Sequence, residues 1–288
     1  MENELDPFYA VIVARHPDLA DAAFRPLPGG WHSRAFAVDD RLVFKFPQGE
    51  EAERALRREA TILAALRPHL TMRVPDLRLY DGTPLFSEHA IIPGEHLETA
   101  HYDALPEPAR QTLGEALARF YADLHARDRA SMERAGAQPI ERWLDADAIK
   151  SRALPLLPQH LQAFAAETIA GWRDLPPDPY GETYGFFDGH GWNMAFDHAA
   201  GTLNGIYDFA DSGFGPLHQD FIYSNFISPD LTARIVDGYE RVTGRTLDRT
   251  RIHLLTGVHR LWELATLANS PEHHATMIDS IAAWASRQ

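Results

Sequence analysis

The 288-residue sequence contains no cysteine. That absence removes disulfides and iron–sulfur ligation and leaves any bound metal to oxygen or imidazole ligands. No apolar run approaches roughly 18 residues, so no membrane span is expected. The opening Met1-Glu2-Asn3-Glu4-Leu5-Asp6 is acidic and lacks the apolar stretch of a secretory signal, so the expected location is the cytoplasm. Basic residues are scarce: 27 Lys and Arg against 41 Asp and Glu give a net charge of −14. Such a surface disfavours nucleic acid and suits a cationic or neutral partner, although solubility alone accounts for it. The 15 histidines show no His-Glu-x-x-His spacing, so a zinc site is not expected either.

What is present suffices for a core, with 45% hydrophobic and 24% charged residues. The pattern predicts a short helix over about 8–20. A β-hairpin should follow, from Ala35–Val38 and Leu42–Phe46 across the turn pair Asp39-Asp40. Glu51–Leu66 has helical spacing, with Ala55, Ile62, Leu63 and Leu66 on one face, and Pro68 ends it. Val74–Leu79 and Leu85–Ile92 read as further strands. Beyond Pro93-Gly94 the pattern becomes mostly helical, and Glu107–Ala126 reads as a core helix on Leu113, Leu117, Phe120 and Leu124. Residues 128–160 are charged and broken by Pro139, which suggests an insertion beside the substrate. Tyr184–Asp211 reads as strand, loop and strand, followed by helix to the end. The expected class is α+β in two lobes, 1–92 and 93–288, with a ligand in the gap between them.

The residues that carry chemistry lie in Tyr184-Gly-Phe-Phe-Asp188-Gly-His190-Gly-Trp-Asn193 and in Gly205-Ile-Tyr-Asp208-Phe209-Ala210-Asp211. Asp188 and Asn193 have the separation of the Asp and Asn in a kinase catalytic loop, and a strand then delivers Asp208-Phe209 where a kinase has its metal-holding pair. Phosphoryl transfer needs an acceptor for the hydroxyl proton and, close by, oxygen ligands for magnesium; a loop returning as a hairpin supplies both. Upstream, Lys45 ends an apolar strand and Glu59 lies in the next helix. Those are the places of the phosphate-pairing lysine and its carboxylate partner.

With these motifs the chain resembles the aminoglycoside phosphotransferase family of the protein-kinase-like fold, and among its members looks most like the enzymes that modify the 2''-hydroxyl. Asp188, His190, Asn193, Asp208, Phe209 and Asp211 fall on the family's loop and strand-end positions, and Asp220 falls where the family has an Asp that braces the catalytic loop. The resemblance implies Asp188 as catalytic base, Asn193 and Asp208 as magnesium ligands, and ATP or GTP as donor. It implies a glycine-rich loop at Gly29-Gly30-Trp31-His32-Ser33, with Ser33 toward phosphate. It also implies that backbone at Ser87, His89 and Ile91 reads the nucleobase. For the acceptor, a small hydroxylated molecule that is cationic or neutral, it implies large-lobe carboxylates, for which Asp237, Glu240 and Glu263 beside Trp262 are the candidates. Two departures stand out: Phe186 replaces the family's loop His, and Phe187 its Gly before Asp188. They leave a nucleotide-binding pseudokinase open, just as the acceptor could be a macrolide, an amino alcohol or another sugar. A metal hydrolase built on Asp188, His190, Asp208, Asp211 and His218 would leave Lys45 and Glu59 without a role.

Overall fold

The computed structural model describes residues 2–27 and 33–286. Helix α1 (Glu2–Arg15) starts earlier than the sequence pattern suggests and gives way after His16 to a 3-10 turn, Pro17–Leu19. Pro17 has no amide proton and disfavours helical backbone in the residue before it, so the α-helix ends there.

Strands β1 (Phe24–Pro26), β2 (Ser33–Val38), β3 (Leu42–Pro47), β4 (Arg78–Tyr80) and β5 (Phe86–Ala90) form one antiparallel sheet in the order β1-β2-β3-β5-β4. Asp39 and Asp40 turn the β2–β3 hairpin with φ of 50° and 49°, left-handed values that Asp tolerates better than most residues. Strand β4 is shorter than predicted because Pro75, without a donor, cannot join a ladder. Alternation along β3 buries Phe44 and Phe46 against Ile12 and Phe36. It therefore turns Lys45 to the opposite face of the sheet.

Helix α2 (Glu50–Leu66) carries three acids in its first turn, which suit the positive end of the helix dipole. Its buried stripe includes Leu56, Glu59, Ile62 and Leu63. One carboxylate thus sits on an otherwise apolar face.

The remainder is mostly helical: α3 (Thr99–Ala104), α4 (Glu107–His125), α5 (Arg129–Arg134), α6 (Ala146–Ala153), α7 (Gln159–Arg173), α8 (Pro229–Thr243), α9 (Arg249–Thr266) and α10 (Pro271–Ala285). Between α7 and α8 run β6 (Glu182–Gly185), β7 (Met194–Asp197), β8 (Thr202–Ile206) and β9 (Gly213–Pro216), paired as β6 with β9 and β7 with β8. Residues 128–160 are packed into the large lobe. Ile149, Ala153, Leu157 and Leu161 join Val258, Leu261 and Leu264 of α9 in a buried cluster. No helix among the described residues is long and apolar enough to cross a membrane.

Candidate active site

Two hairpin-like pairings fold the catalytic stretch back on itself. Gly185 pairs with Gly213 where β6 meets β9, and Met194 pairs with Ile206 where β7 meets β8. The Tyr207 amide donates to the Asn193 carbonyl at 3.0 Å, so Asp208 emerges beside Asn193. Within the loop, the Asn193 Nδ2 donates to both the carbonyl (2.9 Å) and the Oδ2 (2.6 Å) of Asp188. This fixes the Asp188 rotamer, and among the described residues none donates a hydrogen bond to the Asn193 amide oxygen. Burial, then the charge of Asp211, pushes the Asp188 carboxyl up to about 7; the Asn193 bond opposes the shift, and Asp208 and Glu263 add to it.

On the sheet side, Lys45 Nζ lies 3.3 Å from Glu59 Oε2 and 3.8 Å from Asp208 Oδ1. The other Glu59 oxygen accepts from the Phe209 amide at 3.1 Å. A single buried carboxylate therefore ties the lysine of β3 to the strand end that carries Asp208. Burial works against the Lys45 charge, but Glu59 and then Asp208 outweigh it and raise the ammonium above its ordinary value. Ser33, Lys45, Arg58, Glu59, Asp208 and Asp211 line one cavity of about 830 Å³.

A bound magnesium ion fits what these residues offer. Asp208, with its side chain about half exposed, and the amide oxygen of Asn193 are hard oxygen donors. Among the described residues no group of three or more His, Asp or Glu could hold a metal by itself. Two protein oxygens are enough for an ion that keeps waters and phosphate oxygens as its remaining ligands.

Asp220 holds the loop from beneath. It is fully buried and accepts from the amides of Phe186 (2.9 Å) and Phe187 (2.5 Å), while His125 Nε2 lies 3.0 Å from its Oδ2. His125 escaped sequence reasoning, since nothing local distinguishes it from a helix-end histidine. Phe186 packs on Phe120 and Phe209 in the aromatic core. Phe187 adopts φ 55°, the backbone that favours glycine. Its ring occupies the space that side chains on Gly185 and Gly215 would need: a Cβ there would lie 2.8 Å and 2.6 Å from the ring.

The remaining sequence expectations fare unequally. Gly29, Gly30, Trp31 and His32 lie outside the described residues; Ser33 begins β2 beside the cavity. The backbone of Ser87 and the amide of Ile91 are already engaged and are not available to read a nucleobase. Ser87 sits in a strand paired on both sides, opposite Lys45 and Leu79, and the Ile91 amide already donates to the Arg41 carbonyl. His89 Nδ1 lies 3.0 Å from the adjacent Ala90 carbonyl. Asp237 and Glu240 do not present free carboxylates to an acceptor either. Arg249 bridges them at 2.8 and 2.7 Å, and Glu240 also accepts from the Leu247 amide. Glu263 differs: it is close enough for its charge to raise Asp188, its Oε2 is buried without a hydrogen bond, and burial pushes its own carboxyl up to about 7. Trp262, partly buried, stacks on Trp143 and lies against His259.

The chain is similar in fold to wild-type aminoglycoside 2'-phosphotransferase-IIIa in its GDP complex, with a TM-score of 0.84 at 18% identity over 97% of this chain and 98% of that one. It is also similar to the streptomycin-ATP complex of APH(2")-IIa (TM-score 0.67, 17% identity, 96% of each chain). A third likeness is to macrolide 2'-phosphotransferase MphH from Brachybacterium faecium (TM-score 0.68, 18% identity, 97% of this chain and 98% of that one). No curated protein matches the chain in sequence. The architecture is thus the two-lobed, kinase-like α+β fold. Residues 23–253 match the sequence profile described as the phosphotransferase enzyme family, and the chain belongs to that family.

Proposed function

We propose that the protein moves the terminal phosphoryl group of ATP or GTP, bound with magnesium, to a hydroxyl of a small molecule, with an aminoglycoside or similar aminated sugar as the favoured acceptor. The observation that carries this reading is the double attachment of Glu59, to Lys45 and to the Phe209 amide. It gathers a cation for the α and β phosphates and a carboxylate for the metal at one cavity, with Asp188 behind them. The acceptor oxygen attacks the terminal phosphorus, the bond to the bridging oxygen of the leaving diphosphate breaks, and the hydroxyl proton passes to Asp188. Asn193 and Asp208 would hold the magnesium ion, which when bound would supply charge neutralisation at the phosphates. Lys45 steadies the phosphate chain, and Glu263, whose charge is felt at Asp188, is the carboxylate proposed to receive an ammonium group of the acceptor. A cytoplasmic setting, where both nucleotides are at hand, belongs to the same reading.

Phe186 and Phe187 do not favour the pseudokinase alternative. Neither ring displaces Asp188, Asn193 or Lys45 from the contacts described above. The test is an acceptor screen covering aminoglycosides, macrolides and amino alcohols with each nucleotide, read by coupled release of diphosphate. Acceptor-dependent release is expected; nucleotide binding with no release for any acceptor would refute the transfer reading.

A further inference from the structure

Trp192 stands between Asp188 and Asn193 in the catalytic loop. Its neighbours Gly189, His190, Gly191 and Asn193 are buried, yet Trp192 is 55% exposed, the most exposed large apolar side chain among the described residues. Exposure of so large a ring in a loop held on all sides is not explained by packing. The ring is nevertheless fixed. It lies parallel to the His190 imidazole, with centroids 4.3 Å apart at 9°, and His190 is in turn wedged against Tyr223 and Phe226. The Trp192 carbonyl accepts from Tyr207 OH at 2.9 Å. Gly191 is locked onto the segment between the lobes: its carbonyl accepts from the Leu97 amide at 3.0 Å, and a Cβ there would lie 1.8 Å from the Leu97 carbonyl oxygen. One face of the indole is therefore backed by His190, and the exposed remainder is presented at the loop that holds the proton acceptor.

We propose that Trp192 is a stacking platform for the acceptor, and that the acceptor carries its reactive hydroxyl on a saturated ring with an apolar C–H face, such as a pyranose or aminocyclitol, as opposed to an open chain. This rests on the phosphotransfer reading above, because it requires the acceptor to approach Asp188. An indole face gains from contact with C–H groups and from a nearby ammonium, and a rigid ring matches a rigid platform with little entropy to lose. An open-chain amino alcohol offers no such face.

The test compares wild type, Trp192→Phe and Trp192→Ala, with kanamycin and erythromycin as ring acceptors and choline as the open-chain one. Wild type should use at least one ring compound in preference to choline. Trp192→Ala should raise the KM for that compound about tenfold while kcat and the Kd for nucleotide stay within about twofold of wild type, and Trp192→Phe should recover most of the loss. Acceptor should also shield tryptophan fluorescence from iodide in wild type but not in Trp192→Ala. Unchanged KM in Trp192→Ala, or a preference for choline, overturns the platform and leaves phosphotransfer standing. Failure of wild type to use any of a full acceptor panel removes the phosphotransfer reading and the platform with it.

Discussion

At the scale of the residue, Asp188 sets the expected pH behaviour. In the proposed transfer its carboxyl must be ionised to take the hydroxyl proton, and burial pushes that carboxyl up to about 7. Turnover at low acceptor should therefore fall as pH drops below about 7, close to tenfold per unit, as a kcat/KM profile would show. The effect on stability has the opposite sign. A group that binds its proton more tightly when folded favours the fold at low pH, and this contribution is lost as pH rises toward the folded value. Asp188→Asn at pH 8 should consequently unfold at a higher temperature than wild type, by roughly 2–4 °C per kcal/mol recovered, while losing about 10²–10⁴ in kcat. A lower Tm for the variant at pH 8 would mean that the ionised carboxylate is not under strain. Phe187 makes a second residue-scale case. Its departure from glycine was visible in the sequence, but the accommodation was not, because Gly215 lies 28 positions away. A Cβ on Gly215 would come within 2.6 Å of the ring and 2.5 Å of Ile140. Gly215→Ala should cost about 1–3 kcal/mol, and Phe187→Ala in the same chain should reduce that cost. Additive losses in urea unfolding would deny the coupling.

At the scale of the element, β3 and α2 act as one unit. Alternation in β3 and the helical stripe of α2 were both legible, and together they put Lys45 and Glu59 on facing sides. What sequence could not show is the second bond of Glu59, to Phe209, formed across 150 positions. Glu59→Gln keeps an acceptor for that amide but removes the charge opposite Lys45. A charge-assisted bond is worth about 1.5–3 kcal/mol, so Tm should fall by several degrees, and the Kd for nucleotide should rise as Lys45 loses its fixed position; thermal unfolding and calorimetric titration would check both. The other contacts hidden from sequence at this scale share a cause. The stretch 128–160 looked like an insertion because its apolar residues are sparse in sequence and find their partners on α9, about a hundred residues later. Asp237 and Glu240 looked available because Arg249, which neutralises them, arrives only after the chain has turned at Gly244, the left-handed cap of α8.

At the scale of the whole molecule, the α+β class was legible in apolar patterning that alternates over a few strands around one helix and then turns mostly helical. The kinase-like arrangement was implied by the family resemblance that Lys45, Glu59, Asp188, Asn193 and Asp208 carry. The proposed acceptor side is less legible, since Glu263 on α9 and Trp192 in the 188–193 loop share no motif. Ligand linkage gives a test at this scale. Magnesium nucleotide at a hundred times its Kd should add about 2.7 kcal/mol, raising Tm by several degrees; EDTA should cancel most of the shift if Asn193 and Asp208 hold nucleotide through the metal.

The most direct test of the account follows a labelled γ-phosphate. With wild type, label from ATP or GTP should appear on the acceptor in a magnesium-dependent reaction, and Asp188→Ala should abolish the transfer while binding nucleotide with nearly unchanged Kd. Label reaching the acceptor at an undiminished rate in Asp188→Ala would contradict it.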